Sequence, residues 1–307
     1  MSALIIISVL AVIVLFAGLY KASKALLPLT VIGLLAALTA NILDWNTDWY
    51  YYNEMMHYDN FAVAFGGLTI FSTFLIVLLS KDYFERISSN VAEYYALLLF
   101  ALAGVIMMVS FQNLAMLFIG IETMSVSLYI LAGIRKKDTF SNEAALKYFL
   151  MGAFATGFLL FGIALIYGAT GSFNIEQIAL AVKNSPSNAI LYAGIGMMMI
   201  GVSFKVSAAP FHFWTPDVYE GAPTLITSFM STVVKTAGFA AFLRLFSVCF
   251  ASATDVWAPA LAVMAVLTLV IGNITALYQQ SFKRLLAYSS ISHAGYLLLA
   301  IIALDTQ

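Results

Sequence analysis

The feature that most constrains this chain is a succession of apolar runs, each about twenty residues long, separated by short polar connections. A bilayer core about 30 Å thick is crossed by about 20 helical residues. Inside it no water satisfies a free backbone N–H or C=O, so runs of this length are expected to be helices. The alternating pattern of a membrane β-barrel is absent. We place spans at Ser2–Tyr20, Leu26–Leu43, Asn60–Leu79, Ala92–Ser110, Asn113–Ile134, Glu143–Tyr167, Ala189–Ala209, Thr224–Phe246, Val256–Tyr278 and Phe282–Leu304. The first has no basic residue before it and is longer than a signal-peptide core, so it reads as a retained span.

Composition agrees. Only 9% of the 307 residues are charged and 63% are hydrophobic, whereas a soluble domain carries roughly 25% charge. The fold class expected is an all-α polytopic membrane protein in one membrane domain. The longest polar stretches, Asn41 to Asp59 and Asn174 to Asn188, read as loops. A net charge of −1 argues against a nucleic-acid partner. Cys249 is the single cysteine, which excludes a disulfide framework. The sequence carries no Walker loop, no G-x-G-x-x-G motif, no H-E-x-x-H pair and no bis-histidine haem spacing.

Basic residues set the expected orientation. Lys21, Lys24, Lys81, Arg86, Arg135, Lys136, Lys137, Lys283 and Arg284 fall on one side if the spans alternate. The other side has Lys183 and Arg244, with Asp44, Asp48, Glu54 and Asp59 in its first connection. The positive-inside rule makes the first side cytoplasmic and puts the N-terminus, and with ten spans Gln307, outside.

Against this background a few ionisable residues stand out. Glu122 lies mid-span in L-F-I-G-I-E-T-M-S-V, and Lys235 lies mid-span in S-T-V-V-K-T-A-G-F. Lys205 closes the seventh run, Lys147 sits early in the sixth, and His293 lies in the tenth. A charge at a helix centre costs ~2.5–3.5 kcal/mol on insertion scales, so such groups face the protein interior, pair, or line a hydrated path. Glu122 and Lys235 are too deep to reach an interface. Two roles stay open for Lys147, which can also pair with Glu143 one turn earlier on the helix surface. The same holds for Lys205, because a lysine at a helix end can snorkel. In the eighth span Thr224, Ser228, Ser231 and Lys235 recur at helical spacing, with Thr232 beside them, so hydroxyls and an ammonium share a face. A small-residue packing stripe accounts for the hydroxyls but not for the lysine. Pro210 disfavours helix at Ala209 and removes a donor, so the seventh run is expected to break there, with His212 beside the break. The alternative is that the helix ends at Ala209 and a cytoplasmic loop follows.

These residues sit in segments that resemble a known family. F-I-G-I-E-T-M-S-V-S-L-Y-I-L-A-G from Phe118, E-A-A-L-K-Y-F-L-M-G from Glu143, K-V-S-A-A-P-F-H-F-W-T-P-D-V-Y-E-G-A-P-T from Lys205 and S-F-K-R-L-L-A-Y-S-S-I-S-H-A-G-Y from Ser281 are similar to the antiporter-like membrane subunits of respiratory NADH:quinone oxidoreductase (complex I), which are related to Mrp-type cation/proton antiporters. The form T-P-D-V-Y-E-G-A-P resembles the N-type subunits rather than the L- and M-types, whose equivalents usually read L-P-D-A.

The resemblance implies two inverted five-helix repeats, each with a helix broken in mid-membrane. On this chain that gives N-terminal helices over 1–80, a first repeat over 92–247 and the start of a second over 255–307. It implies proton-transfer roles for Glu122, Lys147, Lys205, Lys235, His212 and His293. The expected path runs from Lys205 toward Lys235 through hydroxyls, His212 and water, with a Glu122–Lys147 pair setting proton affinity. The resemblance implies no cofactor in this chain: NADH, flavin, iron–sulfur clusters and quinone belong to partner subunits. The implied partners are other membrane subunits, especially neighbouring antiporter-like ones, in the cell inner membrane. Family members continue through a second broken helix, which implies that this sequence is a fragment or a truncated copy. Two other readings are an Mrp-type cation/proton antiporter subunit and a structural membrane subunit whose charges only pair.

Overall fold

Side-chain caps set the starts of four of the helices. In the computed structural model, which describes residues 1–20, 23–81, 83, 84, 91–184 and 188–303, α1 runs over Ser2–Leu19, α2 over Ser23–Leu43 and α3 over Asn60–Leu78. Asp59 caps α3 by accepting from Ala62 N. Next come α4, Val91–Val109, and α5, Leu114–Ala132, which Asn113 caps. Asp138 caps α6, Thr139–Thr170, and so starts it a turn before the expected Glu143; Gly171 closes it at φ 72°. Ala189–Val206 is α8, capped by Asn188 through Ile190 N and Leu191 N. Trp214–Gly221 is α9, Thr224–Cys249 is α10, Thr254–Leu277 is α11 and Phe282–Ala303 is α12. Ten of these helices are long and apolar enough to cross a membrane, in the order expected. Lys21 and Arg86, used for orientation, and the Leu304 end of the tenth predicted span lie outside the described residues.

The two stretches expected to be loops hold structure. Within the first, Asn41 to Leu43 still belong to α2. After them Trp49–Tyr51 (β1) pairs antiparallel with Met56–Tyr58 (β2), with Trp49 opposite Tyr58. The hairpin turns through Tyr52, Asn53 and Glu54, all at positive φ. It is stitched to the end of α4 by His57 N donating to Ser110 O at 2.8 Å. Asp59 then accepts from Arg244 Nη2 at 2.7 Å, which ties the hairpin's end to the buried guanidinium on α10. In the second stretch, Ile175–Asn184 forms a short helix, α7, which buries Ile175, Ile178 and Val182 on one face.

The centre of the molecule is built on α4, α5 and α10. Helices α4 and α5 approach backbone to backbone at Gly104 and Gly120. A Cβ on Gly104 would stand 2.6 Å from both Gly120 O and Met124 N. Small residues at such a crossing let membrane helices associate by close packing. That contact seats the helix that carries Glu122, Ser125 and Tyr129. Toward the outside, residues such as Phe16, Ile32, Phe154 and Val263 remain exposed, as expected of a lipid-facing surface. The unit interrupted at its middle is α8–α9, and there the charged residues gather.

Candidate functional site

Helix α8 ends at Val206, three residues before the expected Ala209. Ser207 adopts φ 63°, and Ala208 N returns to Ser203 O at 2.9 Å while Ser207 N returns to Phe204 O at 3.1 Å. This closure satisfies helix-end carbonyls before Pro210 is reached. The Ala209–Pro210 bond is cis. Ala209 N donates to Thr268 Oγ1 of α11 at 2.8 Å. Trp214 Nε1 donates to Phe204 O at 3.0 Å, and Thr215 Oγ1 donates to Ser207 Oγ at 2.7 Å. Irregular backbone of this kind persists among lipid-facing helices only where protein satisfies it, as here. The chain resumes as α9, so the segment after Lys205 is a half-helix and not a loop. His212 is buried within the break.

Lys205 occupies the last turn of α8 and is 3% exposed. Its Nζ donates to Ser125 Oγ at 2.6 Å and lies 5.9 Å from the Tyr129 ring centroid, on the same face of α5. Glu122, one turn before Ser125, is the carboxylate whose charge reaches Lys205. Its own hydrogen bond comes from Thr156 Oγ1 of α6 at 3.0 Å. A buried ammonium with one hydroxyl partner and two aromatic faces is held by hydrogen bonding and cation–π attraction rather than by direct ion pairing.

Lys235 is also buried, and its Nζ donates to Ser290 Oγ at 2.7 Å and to Ser290 O at 2.9 Å, on α12. A π-helical turn, Met230–Val234, immediately precedes it. Such turns add a residue to the helical repeat and frequently mark functional positions. Lys235 faces a cavity of about 730 Å³ that Ser228, Ser231, Thr232 and His293 also line. The hydroxyl face expected from the spacing is therefore present. Ser231 and Thr232 donate to the carbonyl of Ser228, which leaves their oxygens as acceptors toward the cavity. His293 is exposed at the cavity's edge.

The two lysines are joined by aromatic rings. From Lys205 the series runs through Tyr129, Tyr148 (4.8 Å from Tyr129) and Trp214 (stacked on Tyr148 at 4.7 Å). It continues to Tyr219, 5.9 Å from Trp214, over which Lys235 Nζ lies at 5.9 Å. The two helices also pack closely: a Cβ on Gly238, one turn past Lys235, would stand 2.9 Å from the Cγ1 methyl of Val206, the neighbour of Lys205. This wall of buried tyrosines and a tryptophan has no counterpart in the sequence reading, because its members come from three different helices.

Lys147 takes the helix-surface pairing left open for it and gains a second, distant partner. It pairs with Glu143 Oε1 at 2.7 Å and with Asp217 Oδ2 at 2.6 Å. The expected Glu122–Lys147 pair does not form, because Lys147 sits near the start of α6, at the end of the bundle where α9 and α12 meet it, and Glu122 lies beside Thr156, deeper along the helix. Asp217 also accepts from Arg284 Nη1 at 2.7 Å, and Arg284 reaches Glu220 at 3.1 Å. Burial pushes the Asp217 carboxyl up, but Lys147 and Arg284 outweigh that and hold it below its ordinary value. Asp217, Glu220 and Arg284 were missed as site residues. Their signal was present in T-P-D-V-Y-E and S-F-K-R, but their partnership spans more than sixty residues of chain.

A broken helix, a buried lysine at its break and a second buried lysine on the following helix define the class of antiporter-like membrane proteins. A sequence profile of the family described as NADH:quinone oxidoreductase/Mrp antiporter, TM, matches residues 111–307. The chain belongs to this family. It is similar to NADH-quinone oxidoreductase subunit N of Flavobacterium psychrophilum, at 44% identity over 97% of this chain and 65% of that protein. A chain in the structure of respiratory complex I from Thermus thermophilus superposes with a TM-score of 0.82 at 37% identity, covering 97% of this chain and 64% of that one. The Mrp complex from a Dietzia species has the same fold: TM-score 0.82 at 20% identity, covering 98% of this chain and 59% of that one. The chain thus spans just under two thirds of the length of these relatives.

Proposed function

We propose that this chain is a proton-translocating membrane segment of an NADH:quinone oxidoreductase of subunit N type, coupling quinone reduction elsewhere in the complex to proton transfer through buried side chains. The observation that carries this is the pair of buried lysines, one at the helix break and one behind a π turn, joined by an aromatic wall. Lys205 gives up a proton on one side and Lys235 takes one up on the other. Their hydrogen bonds end at Ser125 and at Ser290, so transfer between them needs water or a rearrangement of the wall. A free lysine, with pKa about 10.4, holds its proton too tightly for turnover at neutral pH. Burial and a movable neighbouring charge are the means of changing that. Glu122 supplies the charge for Lys205, and His212 and His293 are the titratable neighbours of the break and the cavity.

In this reading residues 92–247 form the first five-helix repeat and 255–307 the start of a second. The chain lies in the cell inner membrane with its N-terminus outside, as its basic residues suggest. NADH, flavin, iron–sulfur clusters and quinone reside on partner subunits, and neighbouring antiporter-like subunits are the direct partners. The test is proton pumping coupled to NADH-driven quinone reduction, in sealed vesicles carrying the intact complex with Lys205→Met or Lys235→Met. Each variant is expected to pump fewer protons per electron. Undiminished pumping at normal complex abundance overturns the reading. Sodium-dependent transport without NADH oxidation marks an Mrp-type antiporter instead.

A further inference from the structure

Half-helix α9 is eight residues long, too short to stand alone as a helix in water. Phe213, before its first position, supplies no side-chain cap. At the break its hold comes from Trp214 and Thr215, bonded to Phe204 O and Ser207 Oγ. One turn further on, charge takes over. Asp217 Oδ2 accepts from Lys147 on α6, and its Oδ1 accepts from Arg284 on α12. Among the described residues, the Glu143 carboxylate pairs with Lys147 alone and the Glu220 carboxylate with Arg284 alone. Lys283 Nζ closes the end of α9 by donating to Glu220 O at 3.2 Å and Ala222 O at 3.0 Å. Among the described residues, Asp217 is thus the carboxylate that joins both flanking helices to the half-helix. It sits in the first turn of α9, where a negative charge is favoured by the helix dipole.

We propose that Asp217 is a positioning residue of the proton path: by bridging Lys147 and Arg284 it fixes the half-helix after the break, and with it the Trp214 and Tyr219 rings that separate Lys205 from Lys235. Trp214 and Tyr219 both belong to α9, three residues before and two after Asp217. A shift of α9 therefore moves the wall between the two lysines directly. The bridge needs both oxygens as acceptors and a full negative charge. An asparagine offers one oxygen and turns an NH₂ toward a cation. A glutamate keeps both oxygens and the charge.

This inference rests on the proton-translocation reading, and its test separates the two. The intact complex is assayed in sealed vesicles for protons moved per electron, with complex abundance and quinone reduction followed in parallel. Asp217→Asn is expected to lower the ratio while abundance stays normal, Asp217→Glu to restore much of it, and Arg284→Gln added to Asp217→Asn to cost little more. If Lys205→Met lowers the ratio and Asp217→Asn leaves it unchanged, the inference fails and the reading stands. If Lys205→Met leaves it unchanged, the reading itself fails. Failure of Asp217→Glu to restore what Asp217→Asn lost also overturns the bridge. Should Asp217→Asn not assemble, Arg284→Gln carries the test, since it leaves Asp217 paired with Lys147. A lowered ratio at normal abundance supports the bridge, and an unchanged one overturns it.

Discussion

Lys205 donates to Ser125 at 2.6 Å, whereas Glu122, on the same helix and one turn away, receives its hydrogen bond from Thr156. The buried cation is thus anchored by a neutral group, with its carboxylate held nearby but engaged elsewhere. A direct ion pair would fix both partners strongly. A hydroxyl anchor leaves room for the Glu122 charge to act on Lys205 from a distance and to change with small motions of α5 and α6.

Removing that anchor isolates the ammonium. Ser125→Ala leaves Lys205 buried without its hydrogen-bond partner, a loss of about 1–3 kcal/mol by the usual penalty for an unsatisfied buried donor. The expected outcome is a lower melting temperature of the purified protein in detergent. Ser125→Ala combined with Lys205→Met is expected to recover most of the loss, because a methionine asks for no partner. Equal melting of Ser125→Ala and the parent chain would contradict the assignment of Ser125 as the anchor.

The second lysine gives a contrasting expectation. Lys235 has two bonds to Ser290, and one of them goes to the backbone carbonyl. Ser290→Ala therefore costs less than Ser125→Ala, about 1 kcal/mol, because the carbonyl still accepts. Lys235→Met removes a buried charge altogether and is expected to leave stability unchanged or raised, since replacing buried charge by an apolar group is often stabilising. Parallel thermal melts of the three variants check the order.

How much of this was readable follows from the range of each interaction. Lys235 and Glu122 announce themselves because a charge within an apolar run is costly wherever it points. The break at Pro210 is local chemistry too, although Ser207 ends the helix three residues sooner than proline alone dictates. Of the two partners of Lys147, Glu143, four residues away, is legible in the sequence, whereas Asp217 is seventy residues distant and is not. The aromatic wall needs α5, α6 and α9 to be packed before its rings meet. The hairpin had a signal in the aromatic run Trp49–Tyr52 before Asn53–Glu54, with His57 and Tyr58 after it, and α7 had one in the spacing of Ile175, Ile178 and Val182. Both were masked by the far longer apolar runs around them. Nothing in the pattern of S-T-V-V-K marks a π turn.

The α4–α5 crossing yields a packing prediction. At Gly104 an added methyl meets Gly120 O and Met124 N, both backbone atoms, so no side chain can swing aside. Gly104→Ala is expected to destabilise by about 1–3 kcal/mol, the usual penalty for overpacking. It should also displace the helix that carries Glu122 and Ser125. Gly157, where an added Cβ meets nothing within 4 Å, is the control, and Gly157→Ala is expected to melt like the parent. Similar melting of Gly104→Ala and Gly157→Ala would rule out the close approach.

The Asp217 bridge predicts a response to acid whose sign follows from the charges around it. Lys147 and Arg284 face the carboxylate from α6 and α12, with Glu143 and Glu220 beside them, and together hold Asp217 below its ordinary value. A carboxyl with a lower pKa folded than unfolded stabilises the fold fully above the unfolded value, about 3.9, and loses that contribution as pH falls toward the folded one. In the parent chain, melting temperature is therefore expected to drop as pH is lowered from 5 to 3, partly through this bridge. In Asp217→Asn the group that titrates is gone, so the parent and variant curves should converge as pH falls. Arg284→Gln removes one of the two cations, so its curve should lie between them. Melting measured in detergent across that range checks the ordering, and parallel curves for parent and Asp217→Asn would show that the carboxylate contributes nothing to the hold on α9.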